Sequence, residues 1–348
     1  MKFIIVLHEY GAPTHYHALK YLAEQNGYKV KYFTFQTILS GRLYKRLKYC
    51  IRHPLQSLSE ILFLCTLPIV KKKKIVIGIA PFNNNLPLLM WLMKKHEVYY
   101  HTSYSCWDGS RYSHAPQNDV ILRKWKYFTH YYVHHIFAVS EWTKKGLVNN
   151  GYANEENISV VNHSFTKLVE VDVNRKKAQN FICVSLLIES KGIPQLLEYF
   201  AQHPNANITL VGKGELEEKV KEYSKNFSNI LYKGYIKGSE NIIPIYKENS
   251  FLILNSQRTT NWEELFGMVI IEGMACGCVP ITTDHPGPKE IIENGVDGII
   301  CEEGRISEGI NYALNMPNEV YSKMKYAALK KGRGYYYKNV AKKWDSIL

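Results

Sequence analysis

Short, wholly apolar runs alternate with helix-like stretches along nearly all of this chain, and that rhythm limits the fold more than any other feature. Beyond its lysine, Lys2–Leu7 shows no alternation with polar residues, as expected for a strand covered on both faces of a parallel sheet. Leu19, Leu22 and Ala23 then fall at i, i+3 and i+4 of a helix that Asn26-Gly27 ends, and "YKVKYFTF" follows as a second strand. Strand, helix and strand within about 35 residues make a βαβ unit of an open α/β sheet.

The pattern continues through "KIVIGIA", "EVYYHTS", "HIFAVS" and "ISVVNHS", with Ser140 placed to cap the helix that "EWTKKGL" opens. It then stops. Thr166–Gln179 is polar and unpatterned, which suits an inter-domain connection. From "FICVSLL" the rhythm restarts and runs through "ITLVGKG", "ILYKGYI", "FLILNS", "VPITTD" and "GIIC". The chain therefore reads as two Rossmann-like halves: 1–165, a connection at 166–179, 180–328, and a last helical segment 329–348 that packs back on the first half. At 348 residues the chain exceeds what one core usually serves. Two such domains facing each other leave a cleft at the carboxyl ends of both sheets, where ligands of open α/β sheets bind.

The net charge of +13 draws anionic partners, and it is uneven. Between Gly41 and Lys74, nine cations stand against Glu60 alone, within Arg42–Arg52 and the run Lys71–Lys74. Tyr44, Leu47, Tyr49 and Ile51 interleave with the first five, a pattern suited to an anionic membrane surface. No apolar run is long enough to span a bilayer of roughly 30 Å, and the start is too short for a signal peptide. The expected location is cytoplasmic, with peripheral attachment to the membrane. The seven cysteines contain no paired spacing for zinc, and no G-x-G-x-x-G follows the first strand, which argues against a dinucleotide oxidoreductase.

"EELFGMVIIEGMACGCVP" (Glu263–Pro280) carries the densest chemistry. A helix starting near Gly267 buries Ile271, Met274 and Ala275 and turns Glu272 about 100° off that stripe. Glu264 precedes the helix. Both carboxylates then lie about its positive end, with the free N–H groups of Gly267, Met268 and Val269 between them. Such an arrangement suits a ligand whose phosphate is flanked by hydroxyl-bearing rings, as in a nucleotide sugar.

E-x7-E with Phe-Gly after the first Glu, followed by "EGMACGCVPI", resembles the signature of the family 4 retaining glycosyltransferases of GT-B architecture. "VSLLIESKGI", "LVGKGEL" and "PGPKEIIENGVDGII" resemble the family's later segments in order and spacing, and "HEYGAPTH", "YYHTS" and "FAVSEWTKKGL" resemble its first half more loosely. The resemblance implies that Glu272 holds the ribose hydroxyls, Glu264 lies by the transferred sugar, and Lys191 offsets the charge of the leaving nucleotide. His101 would line the sugar and acceptor side, while Gly11 and Ser185 would approach the donor phosphates. Two departures stand out. Leu186 occupies the position of the family's phosphate-binding Arg, for which Lys213 is the candidate substitute, and Gly11-Ala12 replaces a Gly-Gly pair.

The function expected is transfer of a hexose, with retention, from a nucleoside diphosphate sugar to a glycan or lipid-linked acceptor in cell-surface polysaccharide (O-antigen-like) synthesis. No D-x-D occurs, so neither an essential metal nor another cofactor is expected, and nucleic acid is not an expected partner. Alternatives are a GT-B enzyme of other chemistry, such as a sugar-nucleotide epimerase or a phosphorylase, or a basic membrane- or nucleic-acid-binding protein.

Overall fold

A computed structural model describes residues 2–9, 11–35, 43–108, 119–260 and 262–348, with side chains from Leu47 onward in the helix Leu43–Arg52. Two compact units make up the chain, Met1–His163 with Tyr337–Leu348, and Ser164–Tyr336.

In the first unit, β1 (Lys2–His8), β2 (Tyr28–Thr34), β3 (Lys74–Gly78), β4 (Glu97–Thr102), β5 (His135–Ala138) and β6 (Ile158–Val160) pair in parallel in the order β2-β1-β3-β4-β5-β6. The helices are α1 (His17–Gln25), α2 (Leu43–Arg52), α3 (Pro54–Thr66), α4 (Leu86–Met93), α5 (Asp119–Tyr127) and α6 (Glu141–Asn149). Successive strand residues point to opposite faces. Ile5, Leu7, Ile75 and Ile77 pack on one side with Leu86 and Trp125, while Ile4, Val6 and Val76 pack on the other with Leu19, Ala23 and Trp344. The Ser140 hydroxyl accepts from the Thr143 amide at 3.0 Å and caps α6.

The second unit has β7 (Asn180–Val184), β8 (Asn207–Val211), β9 (Ile230–Tyr232), β10 (Phe251–Leu254), β11 (Val279–Thr283) and β12 (Ile299–Cys301), again parallel, in the order β12-β11-β10-β7-β8-β9. Its helices are α7 (Ile193–Gln202), α8 (Glu217–Asn226), α9 (Ser239–Glu248), α10 (Met268–Ala275), α11 (Pro286–Ile291), α12 (Ile306–Asn315) and α13 (Asn318–Gly334). Phe181, Cys183, Ile253 and Ile281 centre its core. Read from β9, the sheet has the doubly wound order that reverses between β7 and β10. The pair of Rossmann-like α/β domains expected of a GT-B chain is present.

Residues 166–179 belong to the second unit. They are held there by lysines on carbonyls, which explains their lack of apolar periodicity. The Lys177 ammonium donates to the carbonyls of Ala313, Leu314 and Met316, which close α12 and the turn after it, at 3.2, 2.7 and 2.6 Å. Lys325 donates to the Asp172 carbonyl at 2.7 Å. The segment 329–348 divides: α13 ends in the second unit, and α14 (Tyr337–Val340) with the turns to Leu348 belongs to the first.

Of the basic stretch, Arg42 lies outside the described residues. Lys73 and Lys74 are partly buried: Lys74 donates to the Ile347 and Leu348 carbonyls at 2.7 and 3.0 Å, while Lys72 stays exposed and pairs with Glu97 at 2.9 Å. Among the described residues, no helix is long and apolar enough to cross a membrane.

Candidate functional site

The sheet order places a crevice between the carboxyl ends of β7 and β10, where helices leave toward opposite faces. Lys191 comes from the turn after β7, Ser256 from the end of β10, and Glu264 from the loop before α10. The Lys191 ammonium meets the Glu264 carboxylate at 2.5 Å, each side chain 14% exposed. Ser256 donates to the same carboxylate oxygen at 3.0 Å, and the Trp262 ring lies 4.3 Å from the ammonium. Behind them His285 is fully buried. Its Nδ1 accepts from the Glu264 amide at 3.0 Å, so its Nε2 carries the proton donated to the Ser256 carbonyl at 2.8 Å. Burial lowers its pKa, consistent with a neutral ring. Arg258 ties this loop down through Asp284 at 3.2 Å and Glu303 at 2.7 Å.

The loop turns into α10 at Gly267, whose φ of +95° is a left-handed conformation that a side chain resists. No side chain caps this helix, and the amides of Gly267, Met268 and Val269 meet no acceptor among the described residues. Those donors and the helix dipole form an anion site. Further along α10, Glu272 lies in a shallow recess with Phe165, Lys167, Tyr246 and Cys276. The Tyr246 hydroxyl contacts its carboxylate at 3.5 Å. Burial pushes the Glu272 pKa up to about 7, against the opposing Tyr246 contact. The structure thus joins Lys191 with Glu264 and gives Glu272 surroundings of its own. Lys213 sits on the loop after β8, which runs along that of Leu186: the Leu187 amide donates to the Lys213 carbonyl at 3.0 Å. Its ammonium lies over the Tyr235 ring at 4.4 Å, and Leu186 is exposed. Ser185 follows β7 and donates to the Leu186 carbonyl at 3.1 Å.

In the first unit, the strand order reverses between β1 and β3. At that point lies a cavity of about 130 Å³ lined by His8, Glu9, His15, His101 and His163 with the strand ends near Gly78 and Thr102. His101 is buried; its Nδ1 lies 3.0 Å from the Tyr16 hydroxyl, and its Nε2 has no hydrogen-bond partner among the described residues. The Glu9 carboxylate accepts from the Ala80 amide and the Asn83 side chain, both at 3.2 Å. Burial, reinforced by neighbouring rings, lowers all four histidines; His8 falls to about 4. The cavity is therefore lined by neutral imidazoles at pH 7, able to donate to or accept from hydroxyl groups. Gly11 lies near β2 at φ +61°, and a methyl there would strike Thr34.

Residues 165–331 match the family model of glycosyl transferases group 1, nearly the whole second unit and slightly under half of the chain. Over 216 residues the chain is 27% identical to an uncharacterized glycosyltransferase of Haemophilus influenzae, covering 60% of this chain and 57% of that protein. Over 205 residues it is 25% identical to the capsular polysaccharide biosynthesis glycosyltransferase CapM of Staphylococcus aureus, covering 52% of each. The chain thus spans between half and three-fifths of the length of these two curated relatives. The lipopolysaccharide outer core galactosyltransferase WaaB has a similar structure, with a TM-score of 0.67 at 17% identity over all of this chain and 99% of that one. Anabaena HepE in complex with UDP gives 0.66 at 16% identity over 98% of both chains. At such identities the likeness shows the fold. The structural likenesses show the GT-B fold, and the sequence pattern shared with glycosyl transferases group 1 lies in the second unit.

Several site residues were not anticipated. Ser256, Trp262, His285 and Tyr246 carry no local signature, since each acts through a partner distant in the chain. His8 and His15 lie in the quoted glycine-loop segment, but only the strand order shows that they converge with His101 and His163.

Proposed function

We propose that the chain is a retaining glycosyltransferase of family 4 type, moving a hexose from a uridine diphosphate sugar to a hydroxyl of a glycan or lipid-linked saccharide in cell-surface polysaccharide synthesis. One observation carries this reading. Lys191, from the turn after β7, contacts Glu264, in the loop leading to a helix whose first amides have no partner among the described residues. In this reading the amides of Gly267, Met268 and Val269, with Lys191, Ser185 and Lys213, take the diphosphate; Glu264 accepts from hydroxyls of the transferred sugar; and Glu272 accepts from the ribose. Uridine is the base this reading favours, supported by HepE and two other structures of this fold that hold UDP. The acceptor sits against His101 and its neighbouring imidazoles.

The acceptor hydroxyl attacks the anomeric carbon on the face from which the nucleotide leaves. The carbon–phosphate-oxygen bond breaks, the departing phosphate oxygen takes the acceptor's proton, and no enzymic base is required. Lys191 and the helix amides stabilise the charge that builds on the leaving group. This positive charge supports a metal-free reaction, so EDTA should leave the rate unchanged.

A panel of UDP-, GDP- and ADP-sugars, read by thermal stabilisation and donor hydrolysis, tests the proposal. UDP-sugars should stabilise the wild type and fail to stabilise Glu272→Ala. Lys191→Ala should lower turnover by about a hundredfold or more. Absence of stabilisation by every nucleotide sugar, or an unaltered Glu272→Ala, overturns it.

A further inference from the structure

Helix α3 is inside out. Its buried face carries Ser57 and Glu60 at 3% exposure beside Leu64, with Glu60 accepting from Thr34 at 2.5 Å and from Gln56 at 3.1 Å. Its outer face carries Leu55, Leu58 and Leu62, exposed to 83, 54 and 56%. An ordinary surface helix places its leucines inward and its carboxylate in water. The apolar surface extends beyond α3: Ile51 on α2 and Ile69 after α3 are each 80% exposed. Side chains this large and this close together mark an interaction surface.

The surrounding charge indicates what covers it. From Leu47 to Lys72 the one acidic residue is Glu60, and it is buried. Lys48, Arg52 and Lys71 are exposed beside the aliphatic residues. An aliphatic face bordered by cations and free of exposed acid matches a bilayer with anionic headgroups, where leucines enter the acyl boundary and ammonium and guanidinium groups meet phosphates. At thirteen residues, α3 is about 20 Å long and too short to span, so it would lie in the plane of the interface.

We propose that the exposed face of the consecutive helices α2 and α3 is a membrane-docking surface for anionic lipid, held by aliphatic insertion as well as by charge. The readings at Arg42–Arg52 and Lys71–Lys74 narrow accordingly: Lys72 and Lys74 are engaged within the first unit, and the exposed leucines of α3 supply what cations alone lack. The proposal does not depend on the glycosyltransferase reading.

Co-sedimentation of the full chain with vesicles, without any sugar nucleotide, tests it. Vesicles of phosphatidylcholine containing about one-third phosphatidylglycerol should bind the chain, and pure phosphatidylcholine should bind it at least tenfold more weakly. Leu55→Ser/Leu58→Ser/Leu62→Ser should lower the affinity for anionic vesicles about tenfold or more, and Lys48→Glu/Arg52→Glu should remove the preference for anionic lipid. Both variants should melt as the wild type does, because the altered side chains are exposed. Failure to bind anionic vesicles at low salt, or unchanged binding by the triple variant, overturns the proposal. So does a wild-type dimer that the triple variant dissolves while neither binds vesicles, which would assign the face to a second copy of the chain. UDP-sugar stabilisation of the same proteins separates this outcome from failure of the donor reading.

Discussion

At Glu272, burial opposes the charge that a ribose grip requires. A carboxyl raised from its ordinary value to about 7 binds its proton more tightly folded than unfolded. Its stability contribution is therefore complete below about pH 4.5 and declines as pH rises toward 7, by at most roughly 3 kcal/mol. Donor binding runs the other way, because the ionised carboxylate is the stronger acceptor for ribose hydroxyls. Raising pH from 6 to 8 should thus lower the melting temperature of the free protein and enlarge the shift produced by UDP. Glu272→Gln should flatten the first dependence and remove the second, as thermal melts across this range would show; a UDP shift independent of pH in the wild type would refute the assignment. Lys213 offers a smaller test. If it replaces the arginine absent at Leu186, Lys213→Ala should weaken UDP binding about tenfold, the worth of one charge-assisted hydrogen bond, in a calorimetric titration. No change would leave Tyr235 as its partner.

Among the elements, α10 shows most clearly how local sequence sets up chemistry. Gly267 permits the left-handed turn that leaves the first amides of the helix open, and a Cβ there would lie 2.7 Å from Ile270. Gly267→Ala should cost about 1–2 kcal/mol in denaturant melts and also weaken UDP binding, since the turn that aims the amides must shift. A variant that loses stability but binds UDP normally would remove these amides from the site. This helix was legible because its buried stripe, its glycine start and its flanking carboxylates lie within eighteen consecutive residues. The strands were legible for a similar reason: a parallel sheet covered on both faces leaves uninterrupted apolar runs such as "FLILNS". Helix α3 was not, because Leu55, Leu58 and Leu62 face outward while Leu64 and the Glu60 carboxylate face inward, so its apolar residues mark no single buried stripe. Helix α9 carries Pro244 in its interior and gave no helical signal. The histidine cavity was hidden for another reason. His8, His15, His101 and His163 follow no spacing, and only the reversal of strand order between β1 and β3 brings them together.

On the scale of the molecule, the chain completes its first unit last. Tyr337–Leu348 returns to that unit after the whole second unit has intervened. Trp344 is buried there with its ring 4.4 Å from Phe137 and 5.3 Å from His101, on the side of the sheet opposite Trp125. The first unit's core thus depends on the last residues of the chain, whereas the core around Phe181 and Ile253 does not include them. Removing the indole should therefore act on one unit. Trp344→Ala is expected to lower the stability of the first unit by about 3–5 kcal/mol, the usual cost of an aromatic deleted from a core. Guanidinium unfolding should then separate into two transitions, the earlier one reporting Trp107 and Trp125. UDP, which in our reading is held by second-unit residues, should still raise the later transition. Transfer to acceptor should fall even at temperatures where the variant is folded, because His101 loses the ring that packs against it; Trp344→Phe should restore much of both losses. Coincident loss of UDP binding and of the first transition would show that the two units do not fold and bind independently.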